Sequence, residues 1–304
     1  MTTTSVVATT TTEAPTTTTA APSIWHGPYT GGSVGAVLDG DIVLPVDTDN
    51  GDGTYVVETP CSDQGTPRTA TVTGTPIHGA DIVLDPGHGG TESGAVGPTG
   101  LVERDVNLQV ADDLRSILEG QGASVAMTRV ADHYSTLANR AKIATNLQPT
   151  AFISIHHNAE PDGPSAGPGD ETYYQIASSD SKRLAGLIWE EITKAFAPYG
   201  ADWTADTDHG AKYREGTHGD YYGILRLSAG TVTVLSEAAF ITNASEEALL
   251  RDPGFRHAEA QAIATALDRY VSTDDPGSGF VTPYPRTEPA TGGNGGPACV
   301  DPPL

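Results

Sequence analysis

A chain of 304 residues with 39 acidic and 16 basic side chains carries a formal charge of −23. That balance argues against a nucleic-acid binder, which must neutralise phosphates with Lys and Arg, and against a polybasic membrane contact. No apolar run approaches the ~20 residues that span a bilayer, and 35 Gly with 22 Pro place part of the chain outside any packed core.

Residues 1–22 are almost entirely Thr, Ala, Pro, Val and Glu, too poor in apolar surface to offset the entropy of ordering. A disordered tether is expected there. Met1 is followed by neither a basic n-region nor an apolar h-region, so no secretory signal is visible. Thr/Pro-rich stalks are typical of exported proteins, so the expected location is the extracellular, cell-wall or periplasm-like space. The segment 273–304 is again rich in Pro and Gly and reads as a tail.

Residues 23–80 hold short β-prone runs, Ala36-Val37-Leu38, Ile42-Val43-Leu44 and Tyr55-Val56-Val57, with a turn at Asp49 to Gly53. They predict a small β lobe with too little apolar content to be stable alone. Asp47, Asp49 and Glu58 fit positions one, three and twelve of a calcium loop, but Gly51 and Asp52 reverse what positions five and six require. A plain turn is expected.

From residue 81 to 272 apolar runs alternate with helical periods. Strands are predicted at 82–84, 124–127, 152–155, 172–176 and 232–235, and helices at 103–119, 137–147, 181–196 and 255–271. The fold class is α/β: a mainly parallel sheet with helices on both faces, beside the β lobe and disordered termini. Ligands of such sheets bind beyond the carboxyl ends of the strands.

Polar residues gather at those ends. The first strand runs into Asp85-Pro86-Gly87-His88-Gly89-Gly90, where glycines let a metal or substrate approach the histidine. Glu103 shares a helical stripe with Val106 and Val110, so its carboxylate faces the sheet and must be paired or metal-bound. The third strand ends in His156-His157-Asn158. Adjacent strand residues point to opposite faces, so one of the two histidines is a ligand candidate and the other packs or supports. Glu237 closes another apolar strand, either as a capping or salt-bridged residue or as a general base. Two imidazoles and one carboxylate form a set that zinc accepts with a fourth position left for water, and a further carboxylate is what a metallohydrolase needs.

The segments 85–90, Glu103, Arg140 to Asn146, Phe152 to Ala159 and Glu237 to Asn243 together resemble the zinc N-acetylmuramoyl-L-alanine amidases in order and separation. The resemblance covers roughly residues 81 to 271. It implies that His88, Glu103 and His156 bind one zinc ion and that Glu237 is the catalytic carboxylate. It also implies that the substrate is peptidoglycan, cut between N-acetylmuramic acid and the L-alanine of the stem peptide. Two positions depart from the family pattern: His157 replaces a smaller residue, and Ala239 stands where Gly is common. The stretch Asp206 to Gly223 is longer and more aromatic than the family expects, and reads either as a cleft rim or as an ordinary surface loop. Another exported zinc hydrolase, a peptidase or deacetylase, and a catalytically silent wall-binding protein stay open as alternatives. A monomer is expected.

Cys61 and Cys299 flank the α/β segment without a CxxC partner. A disulfide clasping the tail to the β lobe is expected, in keeping with an oxidising compartment.

Overall fold

The computed structural model describes residues 24–160, 169–200, 209–282 and 299–304. The expected tether at 1–22 and residues 283–298 of the tail lie outside the described residues.

The N-terminal runs pair into a five-stranded antiparallel sheet made of β1 (Ala36–Asp39), β2 (Ile42–Asp49), β3 (Tyr55–Glu58), β4 (Thr69–Val72) and β5 (Thr75–Ile77). Its inner face buries Val37, Leu44, Tyr55, Val57 and Val72. The Asp49 to Gly53 segment is a turn, with Gly51 N donating to Asp49 Oδ1 at 2.9 Å. Asp47 and Glu58, the outer members of the calcium register, both pair with the Lys142 ammonium instead.

Beyond the lobe come β6 (Ile82–Pro86), α1 (Glu103–Gly120), β7 (Val125–Met127), α2 (Leu137–Leu147), β8 (Ala151–Asn158), β9 (Glu171–Tyr174) and α3 (Ser179–Phe196). They are followed by β10 (Gly210–Lys212), β11 (Glu215–Gly216), β12 (Gly219–Asp220), α4 (Gly223–Leu227), β13 (Thr233–Phe240), α5 (Ala244–Leu250) and α6 (Pro253–Ser272). Six of the strands form one sheet in the order β10-β9-β13-β8-β6-β7. β7, β6, β8 and β13 are parallel, while β9 pairs antiparallel with β13 and β10 runs alongside β9.

Side chains along β8 alternate as a strand buried on both faces requires. Ile153 and Ile155 pack with Val110, Leu114, Leu184 and Ile263 of α1, α3 and α6. Phe152 packs on the other face with Ile143, Leu147 and Ile224 of α2 and α4. Ala36 and Val43 join that second cluster, so the lobe helps cover the sheet. Capping fixes where helices begin. Thr136 accepts from Asn139 N at the start of α2, Asn243 caps α5, and Asp252 with Pro253 opens α6.

The strands expected at 152–155 and 232–235 reach Asn158 and Phe240. His156 and Glu237 therefore sit inside paired strands rather than after them. The short elements β10, β11, β12, α4 and α5 carry too few residues to show a period in the sequence. Cys61 and Cys299 form a disulfide. Cys61 is buried because the returning segment covers it: its N–H donates to Asp301 Oδ1 at 2.8 Å.

Candidate active site

Parallel register brings the chemistry to one edge. Glu237 of β13 stands beside His156 of β8, and Pro86, the last residue of β6, stands beside Ile155. The chain then turns through Gly87 into His88, whose φ of 61° is unusual for a residue with a side chain. Such a backbone persists only when its surroundings hold it. Here two buried arginines do so. Arg140 donates to the carbonyls of Pro86 (2.9 Å) and His88 (2.5 Å), and Arg129 to those of Pro86 (2.9 Å) and Gly87 (3.0 Å). Arg140 also pairs with buried Asp85 at 2.8 Å, and Asp85 accepts from Thr128 and Ser154.

Glu103 opens α1 after Val102, which offers no side-chain cap. Only 4% exposed, its carboxylate bridges both histidines: Oε2 lies 3.1 Å from His88 Nε2 and Oε1 lies 3.0 Å from His156 Nδ1. One ligand atom from each of His88, Glu103 and His156 lies within 4.8 Å of the other two. Two glycines keep that space open. A Cβ on Gly87 would fall 2.1 Å from His156 Cε1, and one on Gly94 would fall 2.4 Å from His88 Cδ2 and 2.5 Å from Glu103 Oε2. Two imidazoles and a carboxylate converging in a glycine-lined space fit zinc.

Electrostatics agree with that fit. Burial opposes a charged imidazolium at His88, yet Glu103 and Glu92 outweigh it and push its pKa up to about 10. Burial likewise works against the charge of Glu103, but the two histidines hold its pKa well below the usual carboxylate range. His156 moves down, because burial and the His88 charge outweigh the pull of Glu103, so one buried carboxylate stands between two imidazoles, a set whose charge a divalent cation can balance. Glu237 moves the other way. Burial, then the charges of Glu103 and Glu171, raise it well above an ordinary carboxyl, and its Oε2 makes no hydrogen bond among the described residues. All four side chains line one cleft of about 460 Å³.

His157 points to the opposite face, as strand alternation predicts. It is 1% exposed and lies between Asn107 Oδ1 (2.7 Å from Nδ1) and Glu259 Oε2 (3.1 Å from Nε2). Asn107 Nδ2 in turn donates to Glu103 Oε1 at 3.3 Å. Asn107, Arg129 and Glu259 escaped the sequence reading. Only Asn107 carried a signal, four residues after Glu103 on the same inward stripe. Of the aromatic stretch 206–223, residues 206–208 lie outside the described residues. Tyr221 and Tyr222 rim the cleft, whereas Tyr213 packs on Tyr174 and His209 on Phe240. Rim and interior thus share that segment.

The sequence profile of the N-acetylmuramoyl-L-alanine amidases matches residues 82–269. The chain belongs to that family. An uncharacterized protein of Bacillus subtilis (strain 168), YqiI, is 34% identical over 197 residues, covering 64% of this chain and 86% of its own. The amidase LytC of the same organism is 34% identical over 190 residues, which are 62% of this chain but only 35% of LytC. Among solved structures, an N-acetylmuramoyl-L-alanine amidase from Clostridium difficile 630 superposes with a TM-score of 0.56 at 30% identity, over 65% of this chain and 99% of its own.

Proposed function

We propose that this peptidoglycan amidase holds one zinc ion on His88, Glu103 and His156, and that Glu237 moves the protons of the reaction. The bond cut joins N-acetylmuramic acid to the L-alanine of the stem peptide, in keeping with the family. The observation that carries the residue assignment is the meeting of three donor atoms within 4.8 Å, in the same cleft as a buried carboxyl.

Zinc, when bound, supplies a Lewis acid that acidifies water and polarises a carbonyl. Glu237, whose carboxyl burial and neighbouring acids make a stronger proton acceptor than an ordinary carboxylate, suits a group that must take and then give a proton. It accepts the proton of the water attacking the amide carbon, and then delivers it to the nitrogen of the leaving alanine. Arg140 and Arg129 keep the loop carrying His88 in its unusual backbone, and Asn107 orients Glu103. The cleft walls from Tyr221 and Tyr222 exclude bulk water on one side.

The protein works as an exported monomer at the cell wall. A Thr-rich N-terminal segment and the Cys61–Cys299 disulfide support an oxidising, extracellular setting. No helix among the described residues is long and apolar enough to cross a membrane.

Glu237→Gln decides the assignment. Its turnover, followed by mass spectrometry of peptides released from peptidoglycan, should fall about 10²–10⁴-fold, while metal analysis finds one zinc per chain as in the unaltered protein. Undiminished turnover in that variant would refute the role given to Glu237, and a zinc-free but active protein would refute the metal.

A further inference from the structure

The cleft does not end at the zinc ligands. Leu137, at the first turn of α2, lines both the cleft and a second cavity of about 640 Å³. Ala138 and Leu227 line that cavity and a third of about 280 Å³. The three lie in series, from the carboxylate of Glu237 across the start of α2 to Lys142. One wall comes from the β lobe, residues 63–67, and the other from α4 and the β11–β12 hairpin, where His218 sits.

The lobe wall is firmly built. Thr136 N donates to Pro60 O at 2.9 Å and Asn139 Nδ2 to Thr59 O at 3.0 Å, so the strand end preceding the wall rests on the start of α2. The disulfide at Cys61, and Arg68 paired with Asp301 at 3.2 Å, lock the other side. Asp63 Oδ1 accepts from Gly65 N at 2.6 Å and Thr66 N at 3.1 Å, which shapes the tip. This wall lies outside residues 82–269, the segment that matches the family.

The lining selects among the parts of the polymer. Asp63 and Arg226 face the groove at one end and the Lys142–Glu58 ion pair at the other, over an apolar floor of Leu137, Ala138 and Leu227. No Trp, Tyr or Phe lines either outer cavity among the described residues, so a glycan strand would find no aromatic platform there. An extended peptide, with its backbone amides and a terminal carboxylate, matches a lining that offers polar groups of both signs beside an apolar floor.

Resting on the amidase reading above, we propose that the groove between the β lobe and α4 is a stem-peptide subsite. It takes the residues beyond the L-alanine. The lobe's role is then to lengthen the substrate site, so that contacts far from the scissile amide contribute to turnover.

The test uses the full chain and three soluble substrates: N-acetylmuramic acid bearing a dipeptide, the same sugar bearing a tetrapeptide, and the tetrapeptide on a disaccharide. The unaltered protein should cut the tetrapeptide with kcat/KM about tenfold above the dipeptide. Ala138→Trp, which fills the groove, should bring that ratio close to one by raising KM for the tetrapeptide. The Gln64→Ala/His218→Ala pair, which only trims its walls, should do the same in part. An unchanged ratio in both variants overturns the proposal, as does equal loss on dipeptide and tetrapeptide. A penalty that follows the added sugar rather than the added peptide also overturns it, in favour of a glycan site. Calorimetry with free tetrapeptide provides a readout independent of turnover: the unaltered protein should bind it at least about fivefold more tightly than Ala138→Trp, and equal binding refutes the groove. Peptide binding without turnover of any substrate would count against the amidase mechanism and leave the groove standing.

Discussion

At the scale of single residues, the candidate metal site depends on how Glu103 is held. Its carboxylate accepts from Ala95 N at 2.8 Å, His157 N at 3.2 Å and Asn107 Nδ2 at 3.3 Å. Asn107 is oriented by His157, which is braced by Glu259 on α6. Groups that orient a ligand are commonly worth 10–100-fold in metal affinity. Asn107→Leu keeps the branched shape and removes the donor, so zinc affinity measured by chelator competition should drop by about 10–100-fold. The circular dichroism spectrum should stay unchanged. Equal affinity in the variant would show that Ala95 and the His157 backbone suffice. His157 is also where a buried glutamate on α6 finds its partner. The sequence displayed the histidine pair and, by alternation, their division of labour. It could not display Glu259, which lies 102 residues away and meets His157 only through the packing of α6 on the sheet.

Among the elements, the long periodic ones were legible and the short ones were not. Helix α1 repeats its apolar stripe over 18 residues and declares itself. Helix α5 has seven residues and three glutamate or serine side chains in its first turn, so no period emerges. Its existence depends on Asn243, whose side chain accepts from Ser245 N and Glu246 N. Glu246 then folds back and accepts from Phe240 N at 2.8 Å, closing the end of β13. Its Oε1 is buried without a partner among the described residues, and burial raises its pKa to about 8. Between the unfolded value of about 4.5 and this folded value the native state holds a proton that the unfolded chain has released. Stability from this group is therefore complete below pH 4.5 and declines as pH rises through 8. Glu246→Gln removes the titration and keeps an acceptor for Phe240. Urea midpoints should converge for the two proteins near pH 4.5 and diverge by pH 9, with the variant more stable by a few kcal/mol at most. Parallel pH profiles would refute the assignment.

For the whole molecule, the question is what fixes a lobe outside the family match to a domain that covers only part of the chain. The sequence supplied the two halves of the answer separately: β-prone runs too sparse to form a core alone, and two cysteines at opposite ends. The structure joins them. Ala36 and Val43 enter the core cluster of α2, Asn146 Nδ2 donates to the carbonyls of Gly35 (3.1 Å) and Val46 (2.9 Å), and Lys142 pairs with Asp47 and Glu58. Exposed ion pairs of this kind contribute little, so the apolar contacts and the covalent clasp carry the attachment. The disulfide closes a loop with a sequence separation of 238, and in the chain-entropy limit a closure that long is worth about 5 kcal/mol. Cys61→Ser/Cys299→Ser should therefore lower the thermal midpoint by several degrees, and reductant should reproduce the shift in the unaltered protein but not in the variant. The loss should be uneven. Hydrogen exchange should quicken first in β2, β3 and β4, whose cluster has no other covalent tie, while β8 and β13 keep their protection. If protection were lost evenly across both sheets, lobe and catalytic domain would unfold as one unit, and the lobe could not open without the active site.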